Sequence, residues 1–452
     1  MIKPLTCVMA TLFLCILHPA FASDTLFLSL RQAMEIAVNN NPDLKRVRLN
    51  ENILTKQIET AKGTALPQLS GTAGFTDNFA LPSQLLPGEI IGETGQIPIQ
   101  FGVRYGLNAG LEVNQMIYNK SYLENIKKLD AVKSTYQLQT LSTMEDLVYN
   151  VAQIYIQYQI TREQEGILKA NLERIEHLVH IGQAQYENGI IKKLDVDQLK
   201  VNRTNLHSEL SNLDIAAEQQ LNVLRFYLAL DPNQMIELNQ DLLDSGDYPI
   251  SDELMLAENL DYRILKQQLL LAEMDNEVIK AGYYPTINAF AQFNYNGQGD
   301  KFNLKKDNYY SFGYGLWGLR LSMPIFDGFQ KRKKLEENKI VIDQIKLSAY
   351  NFENAVEMEY KNAKIKIENN KELITTQEDN MKLAQELYEV TKLSYQEGVA
   401  PLTELLNAET SLKEAQSQYL TALLNNKLAE LDHVKVSGQL AQLIKSINNN
   451  TF

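Results

Sequence analysis

The sequence predicts an α+β fold in which two copies of one unit each combine long helices with a pair of β-strands. Three observations predict it: an internal repeat, heptad spacing in the helices, and segments in which apolar residues alternate with polar ones. Lys62–Pro67 (KGTALP) recurs as Lys280–Pro285 (KAGYYP), an offset of 218 residues (285 minus 67). Tyr186–Gly189 (YENG) recurs as Tyr395–Gly398 (YQEG), an offset of 209 (398 minus 189). A repeat of this length indicates two structural units that arose by duplication and pack side by side.

The repeat and the N-terminal composition define the predicted organisation of the chain. A secretory signal peptide is indicated by Lys3, by the apolar run Leu12–Leu17, and by Ala20–Ser23 (AFAS), which supplies small residues for a cleavage site. Both cysteines, Cys7 and Cys15, lie inside this predicted signal peptide, so we expect the mature chain to have no disulfide. Neither cysteine follows the small residues that a lipoprotein signal needs, so we expect no lipidation. The predicted segments are a signal peptide over residues 1–22, a first repeat over 23–230, a connecting segment over 231–253, a second repeat over 254–440 and a C-terminal tail over 441–452.

Helical patterns cover most of each repeat. The first helix begins after Ser29, a candidate N-cap with Gln32 at capping-box spacing, and runs to about Lys62. The others are predicted over Lys120–Glu187, Lys192–Leu228, Leu254–Lys280, Lys331–Gln396 and Leu402–Leu440. Their apolar residues follow heptads, for example Leu405, Ala408, Leu412 and Ala415. Sustained a/d spacing predicts helices that pack side by side as a coiled coil.

Between the helices the apolar period changes from about 3.6 to 2. From Phe101 to Asn114, apolar residues alternate without exception with polar residues or glycine, and Gln68–Thr76 is the predicted hairpin partner. The second copy offers Thr286–Tyr295 and Tyr309–Ile325, so the two hairpins occupy about 64–117 and 283–326. A tilted strand crosses a bilayer with about 9 to 11 residues, which these segments supply. Four strands cannot close a barrel, and an open sheet edge in lipid leaves backbone groups unpaired at a high cost in free energy. Several chains must therefore contribute strands to one barrel.

Composition and motifs exclude several classes of function. The formal net charge of −13 argues against nucleic acid as a partner, because phosphate binding requires a basic face. We find no catalytic or phosphate-binding motif and therefore expect no enzyme, no cofactor and no metal site. Glu173, Glu176, His177 and His180 could gather a metal ion on one helix face, but a solvated charged face is the interpretation that we favour. We interpret the basic run Lys331–Lys334 in the same way, with contact to lipid head groups as the alternative.

Two motifs of the second copy resemble a known family. Met323–Gly328 (MPIFDG) resembles the strand-to-helix signature PLFDGG of the TolC-like outer-membrane efflux factors, and Tyr395–Ala408 (YQEGVAPLTELLNA) is similar to their helix-hairpin turn. The resemblance implies a homotrimer in which each chain gives four transmembrane strands to a twelve-stranded β-barrel. A long α-helical coiled-coil tunnel would continue this barrel into the periplasm.

The same resemblance implies an outer-membrane exit duct of a tripartite efflux or type I secretion system, which performs no chemistry. The implied partners are outer-membrane lipid, a periplasmic adaptor (membrane fusion) protein, and an inner-membrane transporter of the RND or ABC type. The resemblance leaves the exported substrate and the energy source of the transporter open.

The turns between the paired helices are the candidate functional site. Gly189 and Gly398 each follow one long helix and precede another, the position at which a left-handed residue reverses the chain, and Pro401 suits the start of the next helix. The resemblance implies that these turns dock the adaptor. It also implies a gate and constriction at Tyr395, Glu404 and Asn407, with Asp195 and Asp197 in the first copy. Ala400 stands where the family has a latching arginine. The alternative for the acids is that they complement the helix dipole.

Three hypotheses from different classes remain open. The first is the export duct, and the second is a periplasmic structural coiled-coil protein whose strands form a small soluble β cap. The third is a general porin, although a porin builds its whole barrel from one chain. Release of the protein without detergent would favour the structural scaffold.

Overall fold

The computed structural model describes residues 25–92, 94–239, 253–301, 310–442 and 444. The predicted signal peptide lies outside the described residues, as do residues 240–252 of the predicted connecting segment and most of the predicted tail. The described chain falls into two compact units. The first takes 25–41, 147–239 and 366–431, and the second takes 42–146, 253–365 and 432–444.

Seven α-helices and eight strands are found in the described residues. The helices are α1 (Leu30–Asn40), α2 (Pro42–Gly63), α3 (Lys120–Glu187), α4 (Lys193–Leu228), α5 (Leu260–Ala281), α6 (Gln330–Gln396) and α7 (Leu402–Val436). The strands are β1 (Leu26–Leu28), β2 (Gln68–Asp77), β3 (Ser83–Pro87), β4 (Gln96–Gln100), β5 (Tyr105–Asn119), β6 (Ile236–Leu238), β7 (Thr286–Gly299) and β8 (Tyr310–Ser322). In the part of the chain that the structure describes, every helix is too short or too polar to cross a membrane.

The first unit is a bundle of α4, most of α7, and the parts of α3 and α6 that lie within residues 147–187 and 366–396. It also contains α1 and a small parallel sheet in which β1 pairs with β6. One apolar core runs through the bundle, because the heptad positions of all four helices point inward. Its buried members are Leu168, Ile175, Leu178, Val179, Leu199, Leu206, Ala384, Tyr388, Tyr395, Leu402, Leu405, Leu412 and Ala415. The predicted coiled-coil seam is thus confirmed for this unit.

The second unit contains a four-stranded antiparallel sheet with the order β2-β5-β7-β8. The two predicted hairpins pair within themselves, and β5 joins them by pairing with β7. A register shift between Met116 and Tyr118 lies in the β5–β7 pairing. The first copy also carries a short hairpin of β3 and β4, which the sequence did not predict.

Several element boundaries differ from the prediction. The helix expected over Ser29–Lys62 is two helices, because Pro42 has no amide hydrogen with which to continue α1. Its predicted start is confirmed, since the Gln32 amide donates to Ser29 Oγ and the Ser29 amide donates to Gln32 Oε1. Helix α5 begins six residues later than Leu254, where the Asn259 side chain caps it by accepting from the Tyr262 amide.

The strand predicted from Phe101 begins at Tyr105 instead, because Gly102 adopts a left-handed φ of 111° that breaks the extended run. It then extends to Asn119, beyond the predicted end. Strand β8 ends at Ser322, so Met323 and Ile325 lie beyond it. Helix α7 ends at Val436 and not at Leu440, two residues before Gly438, whose φ is 81°.

Candidate functional site

The turns that follow α3 and α6 in the first unit have the same backbone geometry. Gly189 and Gly398 both have a φ of 74°, a left-handed conformation that glycine adopts without strain. The Ile190 amide donates to the Gln185 carbonyl at 2.9 Å, and the Val399 amide donates to the Ser394 carbonyl at 2.8 Å. The two glycine amides donate to the carbonyls of the tyrosines three residues earlier. Both turns are therefore Schellman motifs, which satisfy the last carbonyls of the long helices.

The equivalent tyrosines at the two turns have different surroundings. Tyr395 is 8% exposed within the bundle core, whereas Tyr186 is 40% exposed. The Tyr395 hydroxyl donates to Gln185 Oε1 at 3.3 Å, which links the end of α6 to the end of α3. Burial, and secondly the negative charge of Asp195, raise the pKa of Tyr395. The hydroxyl therefore stays protonated and remains a hydrogen-bond donor.

The predicted constriction acids also differ between the two copies. Asp195 lies in the first turn of α4, and its Oδ2 accepts a hydrogen bond of 3.1 Å from the backbone amide of Lys192. It therefore caps its own helix, as the dipole alternative predicts. Glu404 lies in the first turn of α7, three residues after Pro401, and its side chain is exposed. Of the two equivalent acids, Glu404 is the one that extends into solvent.

Asp197 and Asn407 line the same groove between α4 and α7. The groove has a volume of about 440 Å³, and its wall combines exposed amide and carboxylate groups with apolar side chains. The lining residues are Leu194, Asp197, Gln198, Val201, Asn202, Asn205, Leu406, Asn407 and Thr410. The structure thus brings Asp197 and Asn407 to one surface.

A buried polar cluster near the turns was not predicted from the sequence. Glu409 of α7 is 4% exposed, and among the described residues neither of its carboxylate oxygens has a hydrogen-bond partner. Arg174 of α3 places its guanidinium 5.3 Å from the centre of the Tyr388 ring of α6. Burial raises the pKa of Glu409 to about 7, although Arg174 and Lys413 oppose the shift. In sequence, Glu409 resembles any solvated helical acid, so only the packing of the bundle reveals it.

No metal-binding group was found in the described part of the chain: nowhere there do three or more His, Cys, Asp or Glu residues gather in a way that could hold an ion. His177 and His180 are among the described residues, and neither lies in such a group.

Comparison with solved structures defines the class of protein first. The chain matches CusC, a transmembrane channel, with a TM-score of 0.74 and 17% identity, over 91% of this chain and 93% of CusC. It matches the outer membrane channel CmeC of Campylobacter jejuni with a TM-score of 0.73 and 16% identity, over 93% of this chain and 89% of CmeC. The fold is therefore that of an outer-membrane channel protein.

Sequence comparison then gives the family. The profile described as "Outer membrane efflux protein" matches residues 33–230 and 253–438, and the chain belongs to this family. It is 23% identical over 420 residues to the toluene efflux pump outer membrane protein TtgF of Pseudomonas putida, covering 90% of this chain and 83% of TtgF. The predicted relationship to the TolC-like efflux factors and the predicted outer-membrane localisation are thereby confirmed. The chain is an outer-membrane efflux component, as the first of the three hypotheses states.

Proposed function

We propose that three copies of this chain form one outer-membrane exit duct that passively conducts its substrates. The four-stranded sheet carries this proposal. Within the described residues, β2 and β8 are its outer strands, and each pairs with a single neighbour. In lipid, each unpaired backbone group costs several kcal/mol. Placing β8 of one copy beside β2 of the next pairs both edges, and three copies would supply the twelve strands of a closed barrel.

Exposed apolar side chains on the sheet support its contact with lipid. Leu111, Phe293, Trp317, Leu319 and Leu321 are all more than half exposed. Water-exposed apolar surface of this extent is unfavourable in a soluble protein, whereas it is expected on strands that face hydrocarbon.

The helix turns of the first unit would form the gate of the duct. In this proposal, Glu404 and Asn407 of each copy line the constriction, because Glu404 is exposed while its counterpart Asp195 is engaged as a cap. Asp197 would line the groove beside Asn407. The Tyr395 hydroxyl bond to Gln185 would hold the two long helices together at the turn, a role that Ala400 cannot fill.

The proposed partners are supported by the relative TtgF, which is the outer membrane protein of an efflux pump. A periplasmic adaptor would dock at the turns of Gly189, Gly398 and Pro401, and an RND or ABC transporter of the inner membrane would supply the substrate and the energy. An efflux component without a transporter of its own requires such partners for active export.

Native mass spectrometry and planar-bilayer recording of the purified protein test the proposal together. We expect the mass of three chains and ion-conducting steps in the bilayer. A monomer that gives no conductance would contradict the duct. If the protein leaves the membrane fraction without detergent, the periplasmic scaffold with a soluble β cap is favoured instead.

A further inference from the structure

A layer of cations and aromatic rings lies at the end of the sheet where the strands meet the helices. The antiparallel register brings the start of β2, the end of β5, the start of β7 and the end of β8 to one end of the sheet. Each of these four junctions has a cation in the adjacent helix terminus. The cations are Lys62, Lys120, Lys280, Lys331, Arg332, Lys333 and Lys334. We call this set the basic collar.

The acidic partners of the collar lie farther from the strands than the cations do. Lys120 pairs with Glu124 at 2.6 Å, and Lys280 pairs with Glu277 at 2.7 Å. Glu336 lies 3.2 Å from Arg332 and 2.7 Å from Lys333. In each of these pairs the acid is about one helical turn deeper in its helix, so the positive charge faces the sheet. Asp327 is the exception, and it pairs with Lys331.

The placement of several collar cations opposes the helix dipole. Arg332, Lys333 and Lys334 lie in the first turns of α6, and Lys120 is the first residue of α3. The N-terminus of a helix carries a partial positive charge, so cations there are unfavourable for the helix itself. Folding alone does not account for this arrangement in a chain whose formal net charge is −13. An anionic partner beyond the helix ends would compensate for it.

Exposed aromatic rings lie between the strands and the collar. Phe326 and Phe329 are 73% and 58% exposed, and their rings meet edge to face with centroids 5.4 Å apart. Tyr283 and Tyr284, just before β7, are also exposed, and Lys331 Nζ lies 5.3 Å from the centre of the Tyr283 ring. Aromatic rings followed by lysine and arginine are the arrangement found where a membrane surface meets a protein.

We propose that the basic collar binds the head groups of anionic phospholipids in the leaflet next to the helices. The proposal rests on the proposed position of the sheet in the membrane. Four consecutive cations at 100° steps surround the start of α6, so at least one faces the lipid whichever side of the helix lines the duct. Exposed Arg332 and Lys333 can exchange their contact with Glu336 for a lipid phosphate, because exposed ion pairs are weak.

Lipid co-purification tests the collar on the full-length protein. The protein is reconstituted in phosphatidylcholine vesicles that contain a minority of phosphatidylglycerol, floated on a density gradient, extracted in mild detergent and analysed for bound lipid. We expect phosphatidylglycerol to be enriched at least about threefold over the bulk bilayer. The variant Arg332→Gln/Lys333→Gln/Lys334→Gln should return this ratio to the bulk value. The control Lys346→Gln/Lys361→Gln/Lys366→Gln, which removes three cations farther along α6, should keep the enrichment.

The outcomes separate the collar from the proposed function. Flotation without enrichment, or enrichment that survives in the Arg332/Lys333/Lys334 variant, would overturn the collar and leave the membrane-spanning sheet intact. Failure of the wild-type protein to float with the vesicles would overturn the proposed function, and the collar with it. Enrichment should persist when inorganic phosphate replaces chloride at equal ionic strength. Its loss there would assign the cations to a free anion and overturn the assignment to lipid.

Discussion

The turns after α3 and α6 share one backbone conformation and differ in how their equivalent side chains are packed. Both have a left-handed glycine with a φ of 74° and the same pair of closing hydrogen bonds. At the second turn, Tyr395 is buried and hydrogen-bonded to Gln185, whereas Tyr186 at the first is exposed. Duplication has therefore kept the geometry that reverses the chain and has changed the residues that contact the neighbouring helices.

The first turn of each following helix shows the same division. Asp195 caps α4, whereas the equivalent Glu404 is exposed. Five residues farther along each helix, buried Glu409 of α7 is equivalent to exposed Lys200 of α4, by the same offset of 209 (409 minus 200). The first copy thus uses Asp195 as a cap and keeps Lys200 exposed, while the second copy keeps Glu404 exposed and buries Glu409.

The largest effect that we predict is a difference in local stability between alanine variants of Tyr395 and Tyr186. Tyr395→Ala should lower the local free energy of opening at the turn by about 3 kcal/mol, because it removes a buried ring from a packed core. Tyr186→Ala should cost less than about 1 kcal/mol, since its ring is already partly solvated. Hydrogen exchange of the α6 and α7 backbone amides measures both. The control Tyr395→Phe keeps the ring and should cost about 1 kcal/mol for the lost hydroxyl bond. Equal losses of opening free energy in the two alanine variants would contradict the different packing of Tyr395 and Tyr186.

The second prediction concerns pH. Because the pKa of Glu409 is raised to about 7 in the folded bundle, the folded state binds a proton more tightly than the opened state. Its stabilising contribution is therefore complete at low pH and is lost as the pH rises through about 7. Hydrogen exchange at the α7 amides should show a fall of up to about 3 kcal/mol in the opening free energy between pH 5 and pH 8.

A pair of variants tests whether Glu409 causes this pH dependence. Glu409→Gln should flatten the pH profile of hydrogen exchange and stabilise the bundle at pH 8. Lys200→Gln, at the equivalent exposed position of the first copy, should leave the profile unchanged. A pH dependence that persists in Glu409→Gln would show that another group titrates.

The smallest effect should be the same at both turns. Gly189→Ala and Gly398→Ala should each cost about 1 kcal/mol, because a left-handed conformation is unfavourable for any residue with a Cβ. At either glycine, an added Cβ would meet no atom of the described residues within 4 Å, so crowding adds nothing. Asparagine, which tolerates this conformation better, should cost less at both positions. The exchange rates of the Ile190 and Val399 amides report the result, and unequal costs would contradict the shared backbone geometry.

Features set by local sequence could be predicted, and features set by packing could not. Helix α3 has the predicted limits because heptads and flanking turn residues are short-range signals. The Ser29 cap was predicted for the same reason. The pairing of β1 with β6 was missed, because it joins two three-residue strands more than 200 residues apart. The starts of α5 and β5 were predicted too early, since the 3₁₀ turn at Leu256–Glu258 and the left-handed Gly102 interrupt otherwise regular patterns.

The candidate site shows the same limit. Glycine turns and first-turn acids were visible in the sequence, because capping follows residue type and spacing. The different surroundings of Tyr395 and Tyr186 were not, since both lie in nearly identical motifs and only the packing of four helices distinguishes them. The burial of Glu409 was hidden for the same reason.

The ion selectivity of the open channel tests the central claim most directly, namely that the second turn supplies the constriction. In planar-bilayer recordings, Glu404→Gln should lower the permeability of cations relative to anions, because an acidic ring at a constriction favours cations. Asp195→Asn, the equivalent change in the first copy, should leave the ratio unchanged, since that carboxylate caps its own helix. Unchanged selectivity in Glu404→Gln, or an equal loss in Asp195→Asn, would contradict the account.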